Sequence, residues 1–446
     1  MASDPILHIK DSFYFDVPRK LYRVTYDSPE QIADQVGPWA VRNDADYQSW
    51  EADQFIEKLE KTTGDKEALA GAKQAWLNWQ HADPHRHGRP FDQYVNDALG
   101  ELRTTAAKWA DGVEPKPRDP AQDYLAKKPN AQLDWMIKLT SNPEQNAEWM
   151  KFRHDMDQRV VLDQYLSSSR GDWPEAKLAG YSHNLSGKVF IPQPFGTLRN
   201  AYEKQSGFAI SRYMIIEVVV ALIILLLFTW LAGRVKNGSA PKGKLWNLLE
   251  SFLTFIKTDI VEKGIDPHDS SKFLPLFWTM FLFILGCNLT GMLPWVGSPT
   301  AAIALTAVLA LIIFLVGATL GIKKFGLKGY LKSLCPELGL PMYMAVIVVP
   351  MVWAIEFASL FIKHGILAIR LLANMVAGHL VIVGIMALAF GIHAANLHAG
   401  SWTALSVIAI FGTVVISLME LFVAFLQAYV FTLLAALFIG SATHGH

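Results

Sequence analysis

Cysteine is nearly absent from this chain, with two residues, Cys287 and Cys335, in 446. One falls in an apolar run and the other in a loop stretch, so they supply neither a disulfide framework nor a zinc site. A surplus of one charge sign is also missing: 40 Lys+Arg stand against 40 Asp+Glu. That leaves no basic excess for nucleic acid. No phosphate-binding loop of the Walker type occurs, so nucleotide chemistry is not expected from this chain. Met1-Ala-Ser-Asp-Pro-Ile-Leu-His8 has no basic n-region and no apolar h-region, and it is not an Arg-rich, acid-poor leader. Neither a signal peptide nor a transit sequence is expected there. The second half lacks charge itself. Residues 1–205 carry 26 Lys+Arg and 31 Asp+Glu, while residues 206–446 carry 14 and 9. A slightly acidic, water-soluble front half is expected to precede a membrane domain.

In place of charge the second half has long apolar runs. Residues 212–231, 273–289 and 300–322 are expected as the first three spans, with Glu217 near the start of the first and Gly291 and Pro294 ending the second. Between spans one and two, Leu245, Leu248, Leu249, Phe252, Phe255 and Ile256 recur at helical spacing with polar residues between them. This predicts an amphipathic surface helix over 242–262. Residues 342–390 and 402–439 would make helices roughly 70 and 55 Å long against a hydrocarbon core of about 30 Å, so both must tilt steeply. Arg234, Lys236, Lys242 and Lys244 follow span one, and Lys323, Lys324, Lys328 and Lys332 follow span three. The loops at 290–300 and 391–400 contain no Lys or Arg. The positive-inside rule puts the N-terminus outside and the C-terminus in the cytoplasm.

The front half reads as helix. Its Ala-, Glu-, Lys- and Gln-rich segments are broken by Pro and Gly, and the clearest helix is 66–81, ending at Asp83-Pro84. Eight of the fourteen tryptophans precede residue 205. A disordered linker would be poor in aromatics, so residues 27–170 are expected to form a small all-helical domain. Residues 171–205, rich in Gly, Ser and Pro, are expected as a loop. In residues 1–26, His8-Ile-Lys-Asp-Ser-Phe13-Tyr14-Phe15 alternates aromatic with polar residues and predicts an extended interfacial segment. His81, His85 and His87 could be weighed as a metal site, but no cysteine joins them and Pro84 and Gly88 mark a loop, so a solvated turn is expected. The same holds for His444 and His446. Asn184 and Asn288 match the glycosylation pattern, the second at membrane depth.

Inside the run 342–390 stands Arg370, with Glu356 and Lys363 the other charged residues there. A fixed cation in mid-membrane costs from about 2.5 to well over 10 kcal/mol. The guanidinium cannot escape by losing its proton, and roughly 20 apolar residues separate it from the far helix end, too many for snorkelling. It needs an anionic partner or a water-filled cavity. The surrounding Arg370-Leu-Leu-Ala-Asn374-Met-Val-Ala-Gly378-His379 closely resembles the signature of subunit a of F-type ATP synthases. Glu420-Leu-Phe-Val-Ala-Phe-Leu-Gln427, Asn288-Leu-Thr-Gly-Met-Leu-Pro294 and Glu356-Phe-Ala-Ser359 fit the same family in the same order. The resemblance covers roughly residues 208–440 and a short N-terminal piece.

The resemblance implies an all-α polytopic membrane protein with five spans, organised as an interfacial segment (1–26), a soluble extension and linker (27–205) and the membrane domain proper (206–446). It implies a proton-conducting, non-catalytic stator subunit in a bacterial inner membrane. Its partners would be the ring of c subunits, the b subunits of the peripheral stalk, the F1 sector and membrane lipid, with no cofactor or metal. Arg370 would meet each ring carboxylate, favour its ionised form and repel protons from a direct path. His379 and Glu420 would pair as a proton relay, in the order opposite to that of many bacterial members. Gln427 would hydrogen-bond near Arg370, Asn374 would share its face, and Glu356 and Ser359 would line the cytoplasmic half-channel. Sodium coupling and a stand-alone transporter remain alternatives. Counting alone adds a register: with the turn between the long helices near 398.5, antiparallel neighbours have numbers summing to roughly 797, which levels Arg370 with Gln427 and His379 with position 418.

Overall fold

The computed structural model describes residues 10–64, 66–115, 117–236, 243–265, 267–293, 296–333, 342–390 and 399–443. Two compact units form, Met1–Asp16 with Ile210–His446, and Val17–Ala209. The divisions fall some ten residues before 26 at one boundary and a few residues after 205 at the other.

The unit Val17–Ala209 is helical, as its composition suggests. It contains α1 (Pro29–Gln35), α2 (Pro38–Arg42), α3 (Ala45–Thr63), α4 (Lys66–Leu69), α5 (Ala72–Ala82) and α6 (Phe91–Ala110). α7 (Pro120–Lys127), α8 (Ala131–Ser141), α9 (Pro143–Met156), α10 (Arg159–Leu166) and α11 (Glu175–Leu185) follow. Ser28, Asp119, Asn130 and Asn142 each precede a helix and accept hydrogen bonds from its first amides. These caps fill donors that the helix itself cannot satisfy. The helix expected over 66–81 is broken at Gly71, whose φ of 83° lies in the left-handed region that glycine tolerates. Pro84–Arg86 forms a single 3-10 turn. Among the described residues no three His, Cys, Asp or Glu side chains are grouped so that they could hold a metal ion. His444 and His446 lie outside the described residues.

Residues 171–205 depart from the expected loop. They hold α11 and the start of an antiparallel hairpin, Gly196–Asn200 with Glu203–Gly207. The Asn200 side chain closes the turn by accepting from the amides of Tyr202 and Glu203. Gly196 faces Gly207, and a Cβ at either would meet the opposite backbone within 3 Å. Gly196, one of the glycines that suggested a loop, serves close strand approach instead.

The aromatic core explains the order of this unit. Phe55 packs on Phe91, Trp149 and Phe152 with ring centroids 6.2, 5.3 and 5.4 Å apart. Trp76 is 1% exposed and donates its indole N–H to Arg89 O at 2.9 Å. Trp76→Ala is expected to cost about 3–5 kcal/mol, a large part of the usual 5–15 kcal/mol of a folded domain. Denaturant unfolding of the detergent-solubilised chain, read by tryptophan fluorescence, should show the shift. A change below about 1 kcal/mol would contradict this packing account.

In the other unit, α12 (Arg212–Lys236) begins against residues 10–16. The Arg212 amide donates to Ser12 O at 2.8 Å, the Tyr213 amide to Asp11 Oδ1 at 3.2 Å, and the Arg212 guanidinium lies 3.5 Å from Asp16. Asp11 thus provides the anionic N-terminal partner that a helix dipole favours. α13 (Lys244–Phe255) runs on through the π-helical Ile256–Val261 into α14 (Glu262–Gly264). It buries Trp246, Ile256, Ile260 and Val261, while Leu245 and Leu248, which share the expected apolar stripe with Ile256, are exposed. α15 (Pro267–Gly291) and α16 (Ile303–Ser333) follow, the latter bent at Gly326 (φ 72°). α17 (Met342–Phe390) and α18 (Ala399–Thr443) have 49 and 45 residues, about 70 Å each at 1.5 Å per residue.

Among the described residues five helices are long and apolar enough to cross a membrane. α17 and α18 run antiparallel. Ile385 lies 3.7 Å from where a Cβ on Gly412 would sit, His379 meets Glu420, and the His364 ring lies 4.8 Å from that of Phe438. These pairs sum to 797, 799 and 802, close to the register obtained by counting.

Candidate functional site

α17 builds the site from its 3.6-residue period. Leu367, Leu371 and Met375 are buried against the bundle, while Ile362, Ile366, Ile369, Ala373 and Ala377 are exposed. Arg370 and Asn374, one turn apart, are half-buried between these two faces. Among the described residues Arg370 has no hydrogen bond or ion pair. The side chain therefore stands at the margin of a surface whose exposed residues shrink from isoleucine to alanine beside it. A close neighbour can approach there.

His379 sits between two backbone acceptors and a carboxylate. Its Nε2 is 3.0 Å from Gly291 O, and its Nδ1 is 3.0 Å from both Met375 O and Glu420 Oε1. Carbonyl oxygens only accept, so the arrangement is fully satisfied when both ring nitrogens donate, as in the imidazolium. Glu420 is 6% exposed, and its Oε1 lies at ion-pair distance but outside hydrogen-bond geometry. The carboxylate thus keeps an acceptor position open beside the ring. Gly378 makes the approach possible, since a Cβ there would lie 2.8 Å from Glu420 Oε1.

Behind this pair is a polar network that the sequence reading did not identify. Asn288 is fully buried, donates to Ala424 O at 3.2 Å and accepts from Thr300 Oγ1 at 2.8 Å. Thr300 in turn shares a 2.8 Å contact with Ser298. A Cβ on Gly291 would strike the Ser298 side chain and come 2.7 Å from Met375 Cε. The network fixes the end of α15 against α18 and so holds the Gly291 carbonyl on His379. Asn288→Ala is expected to remove two buried hydrogen bonds, those to the Thr300 hydroxyl and the Ala424 carbonyl, at about 1–3 kcal/mol together. It should lower the thermal midpoint of the purified chain, and an unchanged midpoint would contradict the network.

The other expected residues are not drawn into one cluster. Gln427 is 7% exposed but forms no hydrogen bond with Arg370 among the described residues, although the register brings the two near one level. Glu356 pairs with Lys363 at 3.9 Å, both well exposed, and Ser359 is half-buried one turn away. The partner of His379 across helices, Gly291 O, is a backbone atom. No residue type announces it. The Asn288-Leu-Thr-Gly block was the available signal.

The family model described as ATP synthase A chain matches residues 214–440. ATP synthase subunit a of Chloroherpeton thalassium is 36% identical over 284 residues, covering 60% of this chain and 80% of the relative. The subunit a of Chlorobium phaeobacteroides is 35% identical over 288 residues, covering 61% and 80%. That of Myxococcus xanthus is 36% identical over 240 residues, covering 53% and 74%.

Proposed function

The chain belongs to the ATP synthase A chain family, and from that premise we propose that it is the proton-conducting static half of the Fo channel. The family role is ion translocation within the Fo stator of a rotary complex, and the named relatives are bacterial. In the proposed reading two offset half-channels load and unload the carboxylates of a ring of c subunits. Arg370 stands between them. Its permanent charge favours an ionised ring carboxylate as it passes and repels a proton that would cross directly. It holds and moves no proton itself.

The observation that carries this reading is that Arg370 has no hydrogen bond or ion pair among the described residues and stands beside the exposed small residues Ala373 and Ala377 on a membrane helix. A cation in such a place requires an anion from another chain. His379 and Glu420 form the relay of the outer half-channel, where the carboxylate and imidazole exchange a proton near neutral pH. Glu356 and Ser359 line the inner half-channel, and Asn374 and Gln427 orient water or the ring carboxylate near Arg370. The N-terminus and the unit Val17–Ala209 lie on the outer face and the C-terminus in the cytoplasm, by the positive-inside distribution. The b subunits and F1 complete the assembly, and catalysis belongs to F1.

Purification from native membranes in mild detergent tests this directly. The c-ring and F1 should copurify with a tagged chain in constant ratio. A chain recovered alone, while F1 and c-ring copurify without it, would exclude the stator role. Cysteines placed at exposed positions of Val17–Ala209 should react with a membrane-impermeant maleimide from outside only. Labelling from the cytoplasmic side would reverse the orientation.

A further inference from the structure

The unit Val17–Ala209 contains a cleft of about 440 Å³ where α2, α3, α6, α9 and the hairpin converge, a volume suited to a small ligand. Its polar groups are unevenly satisfied. Arg153 is held by Asp92, its Nε and Nη2 lying 3.0 and 2.7 Å from Oδ2. Arg42 Nη2 donates to the carbonyls of Asp157 and Gln158 at 2.6 and 3.0 Å. Three buried atoms of lining residues have no partner among the described residues: Arg42 Nε and Trp39 Nε1, both donors, and Gln93 Oε1, an acceptor. Buried polar atoms left unpaired cost about 1–3 kcal/mol each, which marks them as groups that await a ligand.

Arg42 Nη1 also lies 3.7 Å from Asp157 Oδ1, so an acid stands beside it; the atoms left without a partner among the described residues are donors on α2 and an acceptor on α6. Asn43, next to Arg42, donates to Arg199 O at 3.0 Å, which ties α2 to the hairpin, and Arg42 and Arg199 both line the cleft. Among the described residues Arg199 makes no ion pair. At the α3–α6 end are Gln93, Asp97 and Glu51, and neither carboxyl has an ion-pair partner among the described residues. Tyr47, fully buried, turns its hydroxyl toward Glu51 without completing a hydrogen bond. Phe55, Met156 and Leu198 give the cleft apolar lining.

We propose that this cleft binds a small zwitterion of the α-amino acid class, its carboxylate on Arg42 and Arg199 and its ammonium on Gln93, Asp97 and Glu51. A planar guanidinium suits a carboxylate, and an ammonium offers three donors to the acceptors opposite. A simple cation would leave Arg199 and Arg42 Nε unmet, and a simple anion would leave Asp97 and Gln93 unmet. Glu51 adds a signature. Burial, with Asp92 and Asp157 nearby and Arg42 and the Tyr47 hydroxyl opposing, pushes its carboxyl up to about 8. At pH 7 it holds a proton that an arriving ammonium displaces.

The test uses the full chain in lipid nanodiscs and titrates each of the twenty proteinogenic amino acids by calorimetry. At least one should bind with a dissociation constant below about 1 mM. Its decarboxylated amine and its deaminated acid should each bind about tenfold more weakly or worse, as should the Arg199→Gln and Asp97→Asn variants. Binding at pH 7 should release protons, seen as heat that varies with the buffer, and the release should vanish in Glu51→Gln. Far-ultraviolet dichroism of each variant separates loss of the site from loss of the fold. Failure of all twenty would overturn the proposal, as would equal binding of the amine alone, which makes the cleft a site for simple cations. Neither outcome bears on the proton path.

Discussion

Replacing Arg370 with alanine is expected to reduce proton-driven ATP synthesis to below about one hundredth of the wild-type rate while the complex still assembles. A unit charge 4 Å from a ring carboxylate at an effective dielectric constant of about 20 is worth about 4 kcal/mol. Each 1.4 kcal/mol is a factor of ten, so the ionised carboxylate loses nearly a thousandfold of its advantage. Assembly should survive because the side chain is half-buried and has no hydrogen bond or ion pair among the described residues. Arg370→Lys should recover little, since a compact, strongly hydrated ammonium lacks the planar fork. The measurement is ATP synthesis in energised membrane vesicles, with the subunit content of the complex checked alongside. Wild-type rates in the alanine variant would remove Arg370 from the mechanism.

Glu420→Gln is expected to slow proton-driven synthesis by about a hundredfold, the usual contribution of a positioned acid–base group. The amide keeps the shape but cannot exchange a proton with His379, whose Nδ1 lies 3.0 Å from Glu420 Oε1. His379→Gln should cost about as much, and the double variant should be scarcely worse than either single one, because residues that act as a unit are not additive. Exchanging the pair (His379→Glu with Glu420→His) should restore a measurable part of the rate, since many bacterial members resemble that order. Rates above half of wild type in both single variants would dissolve the relay.

Much of the membrane architecture was legible because charge is scarce there. A lone Arg370 in an apolar run stands out, and the same scarcity makes His379 and Glu420 conspicuous. Their meeting follows from counting residues on two antiparallel helices of equal rise. The Gly291 carbonyl was not legible, since backbone atoms carry no residue signature. Asn288 and Thr300 were hidden for a related reason: a buried amide and hydroxyl read as polar noise until their partners are seen. Gln427 shows the limit of register arguments, which set a level along the axis but not the direction of a side chain. In the front half the tryptophans announced a core, but glycine misled twice. Gly71 interrupts a helix that the periodicity ran through, and Gly196 belongs to a hairpin where the composition of 171–205 suggested a loop.

The central claim is that the Arg370 face of α17 meets the rotating ring, and disulfide trapping tests it most directly. Ala373→Cys, exposed one turn from Arg370, would be paired with a cysteine one turn from the ring carboxylate, and Leu371→Cys, fully buried, would serve as the control. Oxidation of the assembled complex should give an adduct of this chain with one c subunit from Ala373→Cys and none from Leu371→Cys. No adduct at Ala373, or equal adducts at both positions, would contradict the account.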